Sequence, residues 1–192
     1  MSVLVRNDCT SRRVRDILLH CLNSKDKEIL NKVNFVMTFD SKEQRRIMGK
    51  FATGVTVIST VVDGETWGMT ANAVTSLSLD PPLVLVAIVR DSQSHEKVKQ
   101  AGCFAMNILS ADQEEISNRY AFSGPKDFSG LPTETAETGA PILSGAIGYV
   151  DCRLVEILPG GDHDIFIGEI VAGDANDDQP LLYFDGGYKK LS

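Results

Sequence analysis

The sequence lacks both an excess of positive charge and a long apolar run, and these absences exclude two classes of partner. Its 192 residues contain 19 Lys and Arg against 26 Asp and Glu, which gives a formal net charge of -7. Nucleic-acid affinity depends largely on clustered positive charge, so we expect no nucleic-acid partner. No apolar run reaches the roughly 20 residues of a membrane-spanning helix. We therefore expect no membrane partner and a cytoplasmic location.

Cysteine and histidine are scarce, and short catalytic signatures are missing. The four cysteines form no CxxC pair and have no histidine at metal-ligand spacing, so we expect reduced, structural thiols and no metal site. No G-x-S-x-G elbow occurs, which argues against a Ser-His-Asp hydrolase. No G-x-G-x-x-G fingerprint occurs either, which argues against a Rossmann nicotinamide site.

What the sequence does contain is a succession of short β-branched segments separated by turns. A helix is expected over about residues 40–54, with Met48 and Phe51 facing inward. The pair Asp63-Gly64 predicts a type I′ hairpin, since both positions tolerate a positive φ. Strands are predicted over 55–62, from 65 or 66 onward, and over 83–89, 103–109, 146–157, 164–172 and 181–184.

The remaining segments surround these strands. Short helices are expected to begin with Ser94 as N-cap and after Ser110. Residues 122–145 have no clear period and are expected to form a long loop. This order of elements favours a mainly β fold, a closed or Greek-key β-barrel with peripheral helices.

The first candidate site is the stretch GMTANAVTSLS, residues 68–78, where small and hydroxyl side chains dominate. A planar, electron-accepting ring needs close approach of the backbone and hydrogen-bonding groups for its polar edge. Small residues allow that approach, although a hydroxyl-rich strand facing water would have a similar composition. The candidate cofactor-binding residues here are Thr70, Ala71, Asn72, Ser76 and Ser78.

The second candidate site lies where a strand ends and a helix begins. Free N–H groups at the helix N-terminus, the hydroxyls of Ser92 and Ser94 and the guanidinium of Arg90 form a favourable seat for a phosphate. An ordinary N-cap explains Ser94 equally well.

The third candidate is His163, which follows a glycine turn and precedes an apolar strand. That position would hold it at a sheet edge where a ligand could meet it. A lone histidine is, however, more often structural or merely exposed.

Four segments resemble the short-chain flavin reductase family, the reductase components of two-component flavin monooxygenases. In order, over about residues 40–190, they are FATGVTVIST, GMTANAVTSLSLDPPLVLV, SQSHEKVKQAGCFAMNIL and GDHDIFIGEI. The resemblance implies an FMN-binding split barrel over residues 36–192, normally a homodimer with flavin sites close to the subunit interface. Residues 1–35 have no counterpart in the pattern, and we interpret them as an N-terminal helical extension of unknown role.

The resemblance also implies roles for the candidate residues. The five residues of the first site would line the flavin ring and ribityl chain, and Ser92, Ser94 and His95 would lie near the phosphate. His163 matches the histidine of the family's G-D-H turn, expected beside the ring where the nicotinamide stacks. Tyr188 could reach the site from the end of the chain.

The implied activity is hydride transfer from NADH or NADPH to FMN or FAD, with the reduced flavin supplied to a separate monooxygenase component. The two cofactors carry the redox chemistry, so His163 is assigned a positioning role. One alternative is a flavin-binding protein of this fold without nicotinamide turnover. Another is a reductase that passes electrons to a corrinoid or a ferric chelate, and a third is a structural dimer that has lost its cofactor site.

Overall fold

The structure, a computed structural model, describes residues 39–191. The chain divides into two compact units, Met1–Gln44 and Arg45–Ser192. Residues 39–44 are the described part of the first unit, so the predicted extension over residues 1–35 lies outside the described residues. All strands of the described part belong to the second unit.

Three helices and twelve strands occur between residues 39 and 191, and they are numbered in chain order. The helices are α1 (Ser41–Met48), α2 (Gln93–Ala101) and α3 (Glu114–Ala121). The strands are β1 (Thr53–Gly54), β2 (Thr56–Val62), β3 (Glu65–Ala71), β4 (Val74–Leu79), β5 (Pro82–Val89), β6 (Cys103–Ile108), β7 (Thr133–Thr135), β8 (Pro141–Leu143), β9 (Gly148–Gly160), β10 (His163–Ala175), β11 (Leu182–Phe184) and β12 (Gly187–Lys189). The predicted mainly β class is confirmed.

Seven strands form one antiparallel sheet in the order β3-β2-β6-β9-β10-β5-β4. The strands β3 and β4 lie at its two edges, yet only Asn72 and Ala73 separate them in the chain. The two edges must therefore approach each other at this connection, which curls the sheet as in a barrel. A three-stranded sheet, β1-β11-β12, and the pair β7-β8 complete the strands of residues 39–191.

Alternating side chains of the large sheet form the main core. In β5, Val84, Val86 and Ile88 are buried while their neighbours are more exposed, because successive side chains point to opposite faces of a strand. Their principal buried partners are Ile58, Phe104, Phe166 and the free thiol Cys152. Burial raises the pKa of the Cys152 thiol to about 12, so it is an inert, structural group.

A second buried cluster positions α3 and the last strands of the chain. It joins Val55, Val57 and Leu181 to Tyr120 of α3, and Tyr188 of β12 packs against it. Burial of these apolar side chains holds α3 beside β3.

The hairpin between β2 and β3 is confirmed with the backbone geometry that was predicted. Asp63 has φ 53° and Gly64 has φ 83°, as a type I′ turn requires. The two strands pair from Thr56 opposite Ala71 to Val62 opposite Glu65. This register places the 68–71 segment on an edge strand beside the core.

The helix predicted over about residues 40–54 is shorter than expected. It ends at Met48, and a short turn leads from it into β1. The expectation that Met48 and Phe51 face inward is wrong, because their side chains are 56% and 68% exposed. They border an open apolar cavity instead of packing into a core.

Two other helix starts and one loop also differ from the prediction. The N-cap of α2 is Ser92, not Ser94, and the Ser92 hydroxyl accepts a hydrogen bond from the His95 N–H. Helix α3 begins at Glu114, after a turn in which Gln113 accepts a hydrogen bond from the Ser110 N–H. The long segment 122–145 contains β7 and β8. No helix of the described residues has the length and apolar content needed to cross a membrane.

Candidate functional site

A cavity of about 470 Å³ lies between β3, α3 and the β11-β12 hairpin, and we call it the inner cavity. Three of the predicted cofactor-binding residues, Thr70, Ala71 and Asn72, line one side of it, and Tyr188 lines the other. The structure therefore brings together residues that are more than 110 positions apart in the chain. The remaining lining residues are Val55, Ser117, Asn118, Ala121, Phe122, Tyr183, Gly186 and Gly187.

A chain of hydrogen bonds fixes the polar wall of the inner cavity. The Thr70 hydroxyl donates to the Ser117 carbonyl oxygen at 2.6 Å, which attaches β3 to α3. The Ser117 hydroxyl lies 2.8 Å from the Tyr188 hydroxyl, which in turn donates to the Asn118 side-chain oxygen at 3.1 Å. These bonds use groups from three elements, so the wall is held rigidly before any ligand arrives.

An apolar cavity of about 810 Å³ adjoins the inner cavity. The two share Asn72, Tyr183 and Gly186, so Asn72 stands at the boundary between them. The other residues that line the apolar cavity are Arg45, Met48, Gly49, Phe51, Thr53, Ala73, Val74, Thr75, Leu85, Ala87 and Ile165. Two adjoining spaces of this kind provide room for two flat ligands.

Ser76 and Ser78 are the members of the first candidate set that line neither cavity. They lie on β4, where Ser76 pairs with Val84 and Ser78 with Leu83 across a β-bulge. Ser76 is exposed and Ser78 is half-buried. Their neighbour Thr75 lines the apolar cavity, so β4 contributes to the site through a position that the composition did not single out.

The second candidate set gathers at the start of α2. The Ser92 hydroxyl donates to the Val89 carbonyl oxygen at 2.7 Å, and the Ser94 hydroxyl accepts from the Trp67 indole N–H at 2.9 Å. Both serines line a cavity of about 340 Å³, which we call the linking cavity. Ala121 and Phe122 line both the linking cavity and the inner cavity, so the two candidate sites lie next to each other.

Arg90 and His95 are held by a carboxylate that was not predicted, that of Asp164. The Arg90 Nε atom lies 2.6 Å from one oxygen of Asp164, and the His95 Nε2 atom lies 2.9 Å from the other. These hydrogen bonds, first that of His95 and then that of Arg90, lower the pKa of Asp164. The His95 ring is buried edge-on against Phe166, so its side chain lines none of the cavities described above. His95 therefore supports the candidate phosphate site indirectly, through its hydrogen bond to Asp164.

His163 begins β10 and stands opposite Val89 and Gly160 in the sheet. Side chains two positions apart share a face of a strand, so His163 shares a face with Ile165, which lines the apolar cavity. His163 itself lines none of the cavities described here, and Ile165 is the residue of its row that does. The His163 Nδ1 atom lies 2.8 Å from an oxygen of Asp162, and this hydrogen bond lowers the pKa of Asp162.

Several residues of the site were not predicted from the sequence. Trp67 and Asp164 carry no local signature, since their partners come from elements 27 and 74 positions away. Tyr183 and β12 could have been found, because Asp185-Gly186 is the same turn signal as Asp63-Gly64. Asp185 has φ 51° and Gly186 φ 78°, and this turn brings Tyr188 back to the site.

The chain matches known proteins over most of its length. The family model described as "Flavin reductase like domain" matches residues 48–192. The reductase component of 4-nitrophenol 4-monooxygenase/4-nitrocatechol 2-monooxygenase from Rhodococcus opacus is 36% identical over 157 residues, which cover 82% of this chain and 84% of that protein. An NADH-dependent FAD reductase from Streptomyces globisporus is 37% identical over 153 residues, which cover 77% and 84%.

A solved structure, that of flavin reductase PheA2 in its native state, superposes with a TM-score of 0.75 at 41% identity and covers 80% of this chain and 99% of that one. The chain therefore belongs to the flavin reductase-like family. The predicted family membership and split-barrel fold are confirmed.

Proposed function

We propose that this protein is an NAD(P)H:flavin oxidoreductase that transfers a hydride from a reduced nicotinamide to FMN or FAD. One observation carries the proposal: the cavity lined by Thr70, Ala71 and Asn72 adjoins the linking cavity, which the serines at the start of α2 line. A flavin nucleotide is a flat ring joined by a flexible chain to a phosphate. The inner cavity would hold the ring, and the neighbouring linking cavity would hold the phosphate. The names of the relatives agree with this activity.

The residues of the inner cavity fit a flat, polar-edged ring. Ala71 and Gly187 leave space beside the backbone, and a Cβ atom added at Gly187 would meet no atom within 4 Å. Thr70, Asn72 and Tyr188 supply polar groups along the same wall. We assign ring and ribityl contacts to these residues, while Ser76 and Ser78 have weaker support because they lie outside the cavity.

Phosphate binding is assigned to Ser92, Ser94 and Arg90. The helix dipole and the N–H groups of the first turn of α2 favour an anion there. His95 acts indirectly, since its ring is buried and joined to Asp164. That carboxylate holds the Arg90 guanidinium through Nε and leaves its terminal nitrogens for a ligand.

The bound flavin supplies the hydride acceptor, and the residues of this chain position the flavin and nicotinamide rings. The apolar cavity accommodates the nicotinamide, with Asn72 at the boundary between the two rings. Its apolar walls exclude water from the space where the rings meet. His163 orients the nicotinamide from the end of the row that includes Ile165, and no side-chain acid or base is required.

The assembly and the destination of the product are also part of the proposal. The family resemblance supports a homodimer with flavin sites near the subunit interface, a cytoplasmic location and delivery of reduced flavin to a separate oxygenase component. Sedimentation analysis of the purified protein tests the dimer, which should have about twice the mass of the 20.9 kDa chain.

The deciding experiment is anaerobic mixing of the purified protein and added flavin with NADH or NADPH, followed at the visible absorbance of the flavin. We expect rapid bleaching with at least one of the two donors. Retention of flavin without bleaching would favour the flavin-binding alternative. Bleaching that is followed by faster electron transfer to a corrinoid or ferric chelate than to oxygen would favour the other-acceptor alternative. A protein that neither retains nor reduces flavin would overturn the proposal.

A further inference from the structure

The hydrogen bonds along the polar wall of the inner cavity run in one direction. The Tyr188 hydroxyl donates to the Asn118 side-chain oxygen at 3.1 Å. A hydroxyl has a single proton, so the Ser117 hydroxyl, 2.8 Å away, must donate to Tyr188. The Thr70 hydroxyl donates to the Ser117 carbonyl oxygen at 2.6 Å. The hydroxyl protons of Thr70, Ser117 and Tyr188 are therefore all used within the protein.

The side-chain amide of Asn118 keeps its donors. Asn118 lies on α3, is half-buried and lines the inner cavity. Its side-chain oxygen accepts the hydrogen bond from Tyr188, which fixes the orientation of the amide plane. Its side-chain nitrogen donates to no residue of the described part of the chain. An amide nitrogen carries N–H donors only, so this group remains available to a ligand in the cavity.

The ring that the proposed function places in this cavity requires donors more than acceptors. The polar edge of an isoalloxazine consists mainly of carbonyl oxygens and unprotonated ring nitrogens, which accept hydrogen bonds. The Thr70 and Tyr188 hydroxyls can offer such an edge only an acceptor, because their protons are used. The other amide that lines the cavity, Asn72, already donates to the Thr53 hydroxyl at 3.2 Å. The Asn118 amide therefore complements the ring edge best along this wall.

We propose that Asn118 recognises the polar edge of the flavin ring by donating hydrogen bonds from its side-chain nitrogen, and that Tyr188 holds this amide in the donating orientation. The inference deepens the proposed function and rests on it, because it needs the flavin ring in the inner cavity. Reduction adds electron density to the polar edge of the ring. Donors that are already oriented toward that edge therefore stabilise the reduced flavin more than the oxidised flavin.

The test is Asn118→Asp in the full-length protein. This substitution keeps the oxygen that accepts from Tyr188 and replaces the N–H donors by a charged oxygen. Fluorescence titration should show that the Kd of oxidised FMN rises about tenfold, and that the Kd of riboflavin rises by the same factor because the contact is to the ring. The Kd of reduced FMN should rise further. The reduction potential of bound FMN should therefore fall, which an equilibrium titration against a redox dye measures.

Two further variants separate this role from a general effect. Asn176→Asp is the matched control, because it makes the same chemical change on an exposed residue that lines none of the inner, linking and apolar cavities. It should alter the Kd of FMN less than about twofold. Tyr188→Phe leaves the donors of Asn118 in place but no longer fixes the amide, so it should raise the Kd about threefold, less than Asn118→Asp does.

Three results would overturn the inference: a Kd of FMN in Asn118→Asp within about twofold of wild type, an equal effect of Asn176→Asp, or a larger effect of Tyr188→Phe. The last result would make the tyrosine itself the donor. Failure of the inference is distinguishable from failure of the proposed function. Unchanged FMN binding in Asn118→Asp, with continued reduction of FMN by NADH, would remove only the role of Asn118. Weakened binding in that variant, with no reduction of FMN by the wild type, would remove only the proposed activity.

Discussion

At the scale of single residues, Asp164 has the widest influence on the candidate site. One carboxylate joins Arg90 at the end of β5 to His95 in α2, from the strand that begins with His163. His163 and Asp164 have different contacts because successive side chains of β10 point to opposite faces of the sheet. Asp164 therefore serves the candidate phosphate site on one face, and His163 lies on the face from which Ile165 lines the apolar cavity.

Replacement of Asp164 by asparagine should weaken binding of the flavin phosphate while the flavin ring is still recognised. The charge that fixes Arg90 is lost, so we expect the Kd of FMN to rise about tenfold, as for loss of a charge-assisted hydrogen bond. Riboflavin has no phosphate, and its Kd should change less than about twofold. Fluorescence titration with the two flavins measures both values.

Asp162→Asn is the matched control for this substitution, because the Asp162 carboxylate contacts His163, and its hydrogen bond with Arg90 is between backbone atoms, which the substitution keeps. It should leave the FMN-to-riboflavin ratio intact. Equal weakening of both flavins in Asp164→Asn would instead indicate a general loss of structure and would contradict the positioning role.

The same carboxylate should make a contribution to stability that depends on pH. Hydrogen bonds from His95 and Arg90 hold the pKa of Asp164 below its ordinary value of 3.8. A depressed pKa in the folded state stabilises the fold above the ordinary pKa, and the contribution is lost as the pH falls through the folded value. The Tm difference between wild type and Asp164→Asn should therefore be present at about pH 6 and shrink below about pH 3.8. A difference that is constant across this range would show that the ionised carboxylate is not what stabilises the contact.

His163→Ala tests the other face of β10. Loss of the ring should raise the KM for the reduced nicotinamide about tenfold and slow hydride transfer, because the donor is no longer oriented. The Kd of the flavin should change less than about twofold, since His163 lies outside the inner cavity. Stopped-flow reduction at several donor concentrations measures both effects, and unchanged donor kinetics would contradict the assignment.

At the scale of elements, the approach of β3 to α3 depends on a glycine. A Cβ atom at Gly68 would lie 2.5 Å from a ring carbon of Tyr120, so only glycine allows the two elements to pack this closely. Tyr120 is buried in the second core cluster, and its hydroxyl donates to the Asp127 carbonyl oxygen at 3.0 Å. The ring therefore has little freedom to move aside.

Gly68→Ala should destabilise the fold by about 1–3 kcal/mol, the usual result of overpacking a well-packed core. It should also weaken flavin binding, because Thr70 and Ser117 meet across the same contact. Urea unfolding measures the first effect. Gly54→Ala is the control, since a Cβ atom there meets nothing within 4 Å. Equal stability of the two variants would show that Tyr120 moves easily.

At the scale of the whole molecule, the described strands and cavities all lie between residues 45 and 191. The family match likewise covers residues 48–192. We therefore expect that removal of residues 1–35 leaves a folded protein whose flavin reduction rate is within about twofold of the full chain. Circular dichroism and anaerobic flavin reduction check this expectation. Loss of folding or of flavin binding would show that the extension is part of the domain.

Much of the fold could be predicted, because strands and tight turns depend on residues that are neighbours in the sequence. The β-branched run of β2 and the apolar run of β5 predicted their strands, and the Asp63-Gly64 pair predicted the turn between β2 and β3. The predicted inward orientation of Phe51 failed for the opposite reason. Whether an apolar side chain is buried depends on which element covers it, and the local sequence does not record that.

The amino-acid sequence by itself determined the order of strands, the hairpin and the segments that carry the family pattern, since each depends on residues close together in the chain. Only the tertiary structure decided that Thr70 and Tyr188 line one cavity, that Asp164 joins Arg90 to His95, and that the cavities adjoin one another. Those contacts depend on the register between strands and helices that are distant in sequence. That register is set by the packing of the whole core, so no local pattern could predict it.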